Sequence, residues 1–127
     1  MRIRIDPLDV LFSKIVRARV RGVCEYCKKN RERLECSHFH GRSKKSTRWD
    51  FQNVAALCFT CHQNFHAYPL DHVEWFKKRL GPEAFDRLTL RANTPEKTDR
   101  DLIKLGLKAE WEKMQAEEKK NVIGARS

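Results

Sequence analysis

Two short cysteine motifs constrain this chain more than any other feature of its sequence. They are Cys24-Glu25-Tyr26-Cys27 and Cys58-Phe59-Thr60-Cys61, and thirty residues separate them. Each CxxC turn directs two thiolates to one point, and a tetrahedral zinc ion takes four such ligands. A thioredoxin-like redox motif would account for one CxxC but not for two. The spacing therefore predicts one structural zinc site, with folding coupled to metal binding.

The fifth cysteine, Cys36, lies in Leu34-Glu35-Cys36-Ser37-His38-Phe39, where the alternation is typical of a strand. We predict that it is a small buried thiol. The chain has no apolar run of membrane-spanning length, and Met1–Asp9 has no apolar signal-peptide core. These features favour metal ligands over disulfides, and we expect a soluble cytoplasmic protein.

The positive charge of the chain is concentrated in its first part. Residues 1–48 contain 14 Lys/Arg and 5 Asp/Glu, whereas residues 49–127 contain 13 and 12. Such a distribution indicates binding to a polyanion, although a generally basic surface would also produce it. The candidate nucleic-acid contacts are Arg17, Arg19, Arg21, Arg42, Lys44, Lys45 and Arg48.

With 127 residues, the chain is expected to form one domain with helical additions. Residues 1–22 are predicted to be a helical segment that Asp6 caps, Pro7 opens and Gly22 ends. Residues 23–92 are predicted to form the zinc-stapled core. Residues 93–127 are predicted to contain a long charged helix that Thr98 caps and that packs along one apolar stripe.

Because four cysteines would close the zinc site, any chemistry must come from other residues. The candidates are His38, His40, Asn53, His62 and His66. His62 directly follows Cys61, where a helix is expected to begin, and His66 lies one helical turn further on. Two imidazoles at this spacing can bind a divalent metal, although histidines in cores and on surfaces also occur at it.

The ordered set of residues resembles the HNH, or ββα-metal, endonucleases with two CxxC knuckles. The first CxxC is followed by His38-Phe39 in a strand, then by Asn53-Val54-Ala55-Ala56-Leu57-Cys58, and then by Cys61-His62. The resemblance covers roughly Val23 to Tyr68. It implies an α+β fold, with a small ββα-metal zinc-ribbon core and flanking helices. The segments Phe12–Arg17 and Arg48–Asn53 also resemble phage recombination nucleases of the NinG/Rap type.

The resemblance implies a role for each candidate residue. His38 would be the general base that deprotonates water, and Asn53 would position it or contribute to the metal site. His62 would be a ligand of the catalytic divalent metal, and His66 a second one. Many family members have an aspartate ligand before the base, where this chain has Ser37, so Ser37 and His40 are further candidate ligands.

A site based on imidazoles favours Mn²⁺, Co²⁺ or Ni²⁺ over Mg²⁺, with Mn²⁺ as the first expectation. The predicted function is a metal-dependent phage or prophage DNA endonuclease that nicks or cuts both strands, as a monomer or weak homodimer in a bacterial cell. Three alternatives remain. The first is a non-catalytic zinc-ribbon module that binds nucleic acid, and the second is a nuclease selective for branched recombination intermediates. The third is a protein-interaction adaptor, which rests only on the charged helix from Thr98 onward.

Overall fold

The computed structural model describes residues 5–125, with side chains described for residues 5–121. The ends of the predicted segments 1–22 and 93–127, which are residues 1–4 and 126–127, lie outside the described residues. In chain order the elements are α1 (Pro7–Ala18), β1 (Glu35–His38), α2 (Lys45–Arg48), a 3-10 turn (Phe51–Asn53), β2 (Val54–Leu57), α3 (Phe59–Ala67), α4 (Pro69–Leu80), α5 (Pro82–Ala92) and α6 (Arg100–Ala125).

The first helix begins where the sequence predicts it. The carboxylate of Asp6 accepts a hydrogen bond from the Leu8 amide at 2.9 Å, and Pro7 occupies the first helical position. The helix ends at Ala18, before Gly22. Gly22 has a φ of 83° and belongs to the turn that leads into the first cysteine knuckle, so the predicted helix end was too late.

The sheet consists of β1 and β2, which pair antiparallel. Glu35 lies opposite Leu57, and His38 lies opposite Val54. All four residues of β2 are buried. Cys58 is the N-cap of α3, so the second cysteine knuckle joins β2 directly to this helix. The predicted α+β class, with a small sheet and flanking helices, is confirmed.

The final helix is capped by a different residue from the one predicted. The side chain of Asp99 accepts a hydrogen bond from the Leu102 amide at 3.1 Å, so Asp99 and not Thr98 occupies the capping position. α6 packs on α1 through the buried Leu107 and the partly buried Trp111, whereas Leu102 is 65% exposed. One apolar stripe is therefore packed and the other faces solvent, as expected for this helix.

Two apolar clusters flank the sheet. One joins α1, α6 and one face of the sheet, and includes Phe12, Ile15 and Val54. The other surrounds the cysteine knuckles and includes Phe65 of α3 and Phe76 of α4. The two-stranded sheet is thus supported on both sides, which holds its strand ends in place. None of the described helices has the length and apolar character needed to cross a membrane.

Candidate zinc site and active site

The four knuckle cysteines converge on one point. The Sγ atoms of Cys24, Cys27, Cys58 and Cys61 all lie within 4.8 Å of one another. Four thiolates on a tetrahedral zinc ion, with Zn–S bonds near 2.3 Å, are about 3.8 Å apart, so this arrangement is compatible with such an ion. The predicted clustering of both CxxC motifs is confirmed, and the four cysteines could hold a metal such as zinc.

Backbone hydrogen bonds shape the first knuckle. The Lys28 amide donates to Cys24 O at 3.0 Å, and the Cys24 amide donates to Lys29 O at 3.1 Å. Lys28 has a φ of 61°, which closes the turn in the left-handed region. A hydrogen bond from the Lys29 backbone lowers the pKa of the Cys27 thiol to about 6, which favours the thiolate form that metals bind.

The fifth cysteine stands apart from this cluster. Cys36 lies in β1, as predicted, and is partly buried. Burial raises the pKa of its thiol to about 12. The side chain is therefore a protonated thiol at neutral pH, and it is less buried than the small buried thiol that the sequence predicts.

His38, the last residue of β1, makes one hydrogen bond that determines its chemistry. Its Nε2 lies 2.8 Å from the carbonyl oxygen of Arg48. A carbonyl can only accept, so Nε2–H is the donor and Nδ1 of the neutral ring keeps its lone pair. Burial lowers the pKa of His38, and the Arg48 hydrogen bond opposes that shift. At neutral pH the ring is therefore a neutral imidazole that can accept a proton.

Asn53 is fully buried, and its side-chain amide forms hydrogen bonds only with backbone groups. Its Oδ1 accepts from the His40 amide at 2.8 Å, and its Nδ2 donates to His40 O at 2.9 Å and Thr47 O at 3.0 Å. Asn53 O also accepts from the Phe39 amide at 2.8 Å. These bonds hold residues 39–47 in a fixed loop behind His38. Of the two roles that the family resemblance implies, this geometry suits positioning.

The two helix histidines lie side by side on α3. The ring centroids of His62 and His66 are 5.0 Å apart, in agreement with the predicted shared helical face. His62 Nδ1 lies 2.8 Å from Oε1 of Glu35 in β1. This contact orients the His62 ring and makes Nδ1 the protonated nitrogen, which leaves Nε2 available as a ligand.

Glu35 is the site residue that sequence reasoning missed. It lies three residues before His38 in a strand, so the alternation places it on the opposite face, with Ser37. That face is the one that contacts α3, whereas His38 lies 6.0 Å, between ring centroids, from Phe12 of α1. The sequence shows that Glu35 is a polar residue of β1, but it does not show that α3 packs against the face on which Glu35 lies.

The two remaining candidate ligands are placed less favourably. Ser37 is 1% exposed, and His40 lies in the loop beyond β1, where its ring stacks edge-on against Phe39. Within residues 5–121, the four cysteines are the sole group of three or more potential ligand atoms found within 4.8 Å of one another. The structure therefore pairs His62 with Glu35 and places it beside His66, but these three residues do not form a compact donor cluster.

A carboxylate of α1 holds the segment that His38 contacts. Both oxygens of Asp9 accept hydrogen bonds from Arg48, with the Nε contact at 3.0 Å, and Oδ1 also accepts from the Trp49 indole at 3.0 Å. Arg42 donates to Oδ2 of Asp9 at 3.2 Å. Since Arg48 O is the acceptor for His38, Asp9 supports the base through one intervening residue.

The basic residues named from the sequence divide into two groups. Arg48 is partly buried and is held by Asp6 and Asp9, so it stabilises the fold and does not offer a free guanidinium. Lys44 donates to Asn93 at 2.7 Å. The others have exposed side chains on the surface around α1 and the loop after β1, although Arg42 also donates to Asp9. They are Arg17, Arg19, Arg21, Arg42 and Lys45.

Comparison with known proteins identifies the cysteine and histidine region. The family model described as HNH endonuclease matches residues 24–67, which include both knuckles, β1, β2 and α3. No curated protein and no solved structure gives a significant match to the chain. From the matched segment and its converging cysteines, residues 24–67 are identified as an HNH endonuclease domain.

Proposed function

We propose that this chain is a divalent-metal-dependent endonuclease that hydrolyses phosphodiester bonds of DNA, with His38 as the general base. The observation that carries the proposal is the hydrogen bond from His38 Nε2–H to Arg48 O. It leaves Nδ1 as a proton acceptor, and burial keeps the ring neutral at operating pH. The attacking water would transfer its proton to Nδ1 while its oxygen bonds to phosphorus and the bond to the leaving 3′-oxygen breaks.

His62 and His66 are the residues that would hold the catalytic metal. Glu35 accepts the Nδ1 proton of His62, an arrangement typical of histidines that bind metal through the other nitrogen. A divalent ion bound there would stabilise negative charge on the phosphate and on the leaving oxygen. Two imidazoles and few carboxylates favour Mn²⁺, Co²⁺ or Ni²⁺ over Mg²⁺.

Basic side chains near His38 support DNA as the substrate. Arg17 and Arg42 line the same cleft as His38. Guanidinium groups bind phosphate oxygens with two parallel hydrogen bonds, so this cleft suits a phosphodiester. One base and one histidine pair per chain favour a single-strand nick from each binding event.

Cleavage of supercoiled plasmid by the zinc-loaded protein tests the proposal. We expect conversion to open circles with Mn²⁺, less with Mg²⁺, and none with either His38→Ala or His62→Ala. Gln63→Ala is the matched control, because Gln63 is exposed on α3 directly after His62. The variants should keep the zinc content and thermal stability of the parent chain. If His38→Ala cut as fast as the parent, His38 would not be the base.

One observation favours a second candidate, a zinc module that binds DNA without cutting it. Ser37 occupies the position of the usual aspartate ligand and is buried, so it offers little to a metal. In that case the protein would bind DNA and leave plasmid intact with Mn²⁺, Mg²⁺, Co²⁺ and Ni²⁺. Selectivity for branched DNA is a further proposal, and faster cleavage of a four-way junction than of a linear duplex of the same sequence would support it.

A further inference from the structure

Two adjacent clefts, which together are called the groove here, extend from His38 along the end of α1. Its first part is a cleft of about 380 Å³ that includes His38, Arg42 and Arg17 in its lining. A second cleft of about 350 Å³ has Arg31 and Arg33 in its lining. The two clefts share three lining residues, which are Arg17, Leu34 and Glu35. Arg17 thus lies where they meet, with His38 in one cleft and Arg33 in the other.

Four of the seven charged residues that line this groove are arginines, and Arg31 lies beside the Cys27 sulfur. In the described part of the chain, none of the ion pairs involves Arg17, Arg31 or Arg33. All three side chains are exposed. Asp9 in the first cleft is bound to Arg42 and Arg48. The acidic residues in the second cleft are Glu32 and Glu35, and Glu35 is engaged by His62.

We propose that this groove binds the sugar-phosphate backbone of one DNA strand on one side of the scissile bond. Arg17 would contact a phosphate next to the one at His38, and Arg33 and Arg31 would contact phosphates further along. A strand repeats its negative charge at regular intervals, which matches separate guanidinium groups along an elongated groove better than a single small anion does. The proposal rests on the proposed function, because it takes His38 as the cutting point.

Arg33 is the most informative residue to change. Arg31 is less suitable, because its Nη2 lies 3.9 Å from Cys27 Sγ and its amide donates to Gly22 O, so a substitution would disturb the first knuckle. Arg33 and Arg17 are exposed, so Arg33→Gln and Arg17→Gln should leave zinc binding unchanged. Arg87→Gln is the matched control, since Arg87 is exposed on α5 and its loss changes the net charge by the same amount.

The experiment measures binding of a fluorescent 20-base-pair duplex by anisotropy, with zinc-loaded protein and no added catalytic metal. For Arg33→Gln and for Arg17→Gln we expect Kd to rise about fivefold at 0.1 M salt, and the slope of log K against log salt to fall by about one. For Arg87→Gln we expect less than a twofold change. In cleavage assays with Mn²⁺, Arg33→Gln should raise KM and leave kcat unchanged.

If Arg33→Gln and Arg87→Gln weakened DNA binding equally, binding would depend on overall charge, and the proposed role of the groove would be wrong. No weakening by Arg33→Gln would overturn it as well. These results are independent of catalysis. If the parent chain bound DNA through Arg33 but never cut it, the groove would stand and the nuclease proposal would fail.

Discussion

The Oε1 atom of Glu35 lies 2.8 Å from Nδ1 of His62, across the interface between β1 and α3. The carboxylate is 44% exposed and the imidazole 23% exposed, so the pair is at the surface edge of the domain. This contact orients the His62 ring and leaves its Nε2 atom available as a ligand. It also brings a carboxylate of β1 next to the histidine pair of α3.

Replacement of Glu35 is therefore predicted to weaken the catalytic metal site. Glu35→Gln should lower the affinity for Mn²⁺ by about 10- to 100-fold, because an amide orients His62 less well and does not raise its basicity. Titration calorimetry of the zinc-loaded protein measures this. Cleavage should fall at low Mn²⁺ and recover at high Mn²⁺. The control is Glu32→Gln, an exposed neighbour in the preceding loop; equal Mn²⁺ affinity in all three proteins would refute the role.

Asn53 is predicted to contribute strongly to stability. Asn53→Ala removes the partners of the His40 amide, His40 O and Thr47 O, and these three hydrogen bonds are partly or fully buried. We expect a loss of about 2–4 kcal/mol in the free energy of unfolding, since each unsatisfied buried polar group costs about 1–3 kcal/mol. Urea unfolding with saturating zinc measures this, and Gln63→Ala on the exposed face of α3 serves as control.

Asn53→Asp makes a sharper comparison. A carboxylate can accept from the His40 amide but cannot donate to the two carbonyls that the Asn53 amide nitrogen reaches. This variant should therefore lose stability as well, although it nearly preserves shape. If it were as stable as the parent, the two carbonyl bonds would contribute little.

Stability is predicted to decrease between about pH 6.5 and 4, in part through His72. This ring stacks on Phe65 with centroids 4.5 Å apart, and its buried Nε2 has no hydrogen-bond partner. Burial lowers the pKa of His72 to about 4. The unfolded chain, with a pKa near 6.5, then takes up a proton more readily than the folded chain, so acid favours unfolding across this interval.

His72→Phe should flatten this dependence, because phenylalanine keeps the stacking and does not titrate. The measurement is the urea midpoint at pH 7.5 and pH 5 for the parent chain and the variant, with excess zinc throughout. We expect the difference between the two pH values to be smaller in the variant. The same difference in both proteins would mean that His72 does not titrate in this range.

Asp9 is predicted to support both the fold and the reaction. Asp9→Asn removes the charge that holds Arg48, Arg42 and the Trp49 indole, and we expect a loss of roughly 1–3 kcal/mol in unfolding free energy. Because Arg48 O orients His38, cleavage should also fall at temperatures where the variant is fully folded. Asp86→Asn, an exposed change on α5, is the control. Normal cleavage by folded Asp9→Asn would show that His38 keeps its position without this carboxylate.

Removal of zinc is predicted to unfold the domain around the knuckles. Cys58→Ser should abolish stoichiometric zinc binding and lower the melting temperature, because metal binding and folding are coupled in such sites. Cys36→Ser, which changes a cysteine outside the cluster, should retain zinc. Zinc content by atomic spectroscopy and thermal melting by circular dichroism test both variants. Zinc retained by Cys58→Ser would argue against a four-cysteine site.

Much of the architecture could be predicted from short stretches of the chain. The two knuckles, the cap at Asp6 and the histidine pair one turn apart depend on neighbouring residues, so local geometry determines them. The cap of α6 was predicted one residue away from its actual position at Asp99, because both Thr98 and Asp99 are good capping residues. Local signals locate such features to within a few residues.

Tertiary structure decided which partner each polar side chain meets. From the sequence, Arg48 was one of several candidate exposed cations. In the structure Asp9, thirty-nine residues earlier, binds its guanidinium, and the backbone carbonyl of Arg48 accepts a hydrogen bond from His38. Nothing in the sequence distinguishes Glu35 from other strand residues, because its contact with His62 depends on the packing of α3 against β1. The four clustered cysteines and the spacing of the two helix histidines could be predicted from the sequence alone, since they follow from turns and helical periodicity. Only the packing of α1 and α3 against the sheet decided how the base and the metal-binding histidine are held, because those contacts join residues that are distant along the chain.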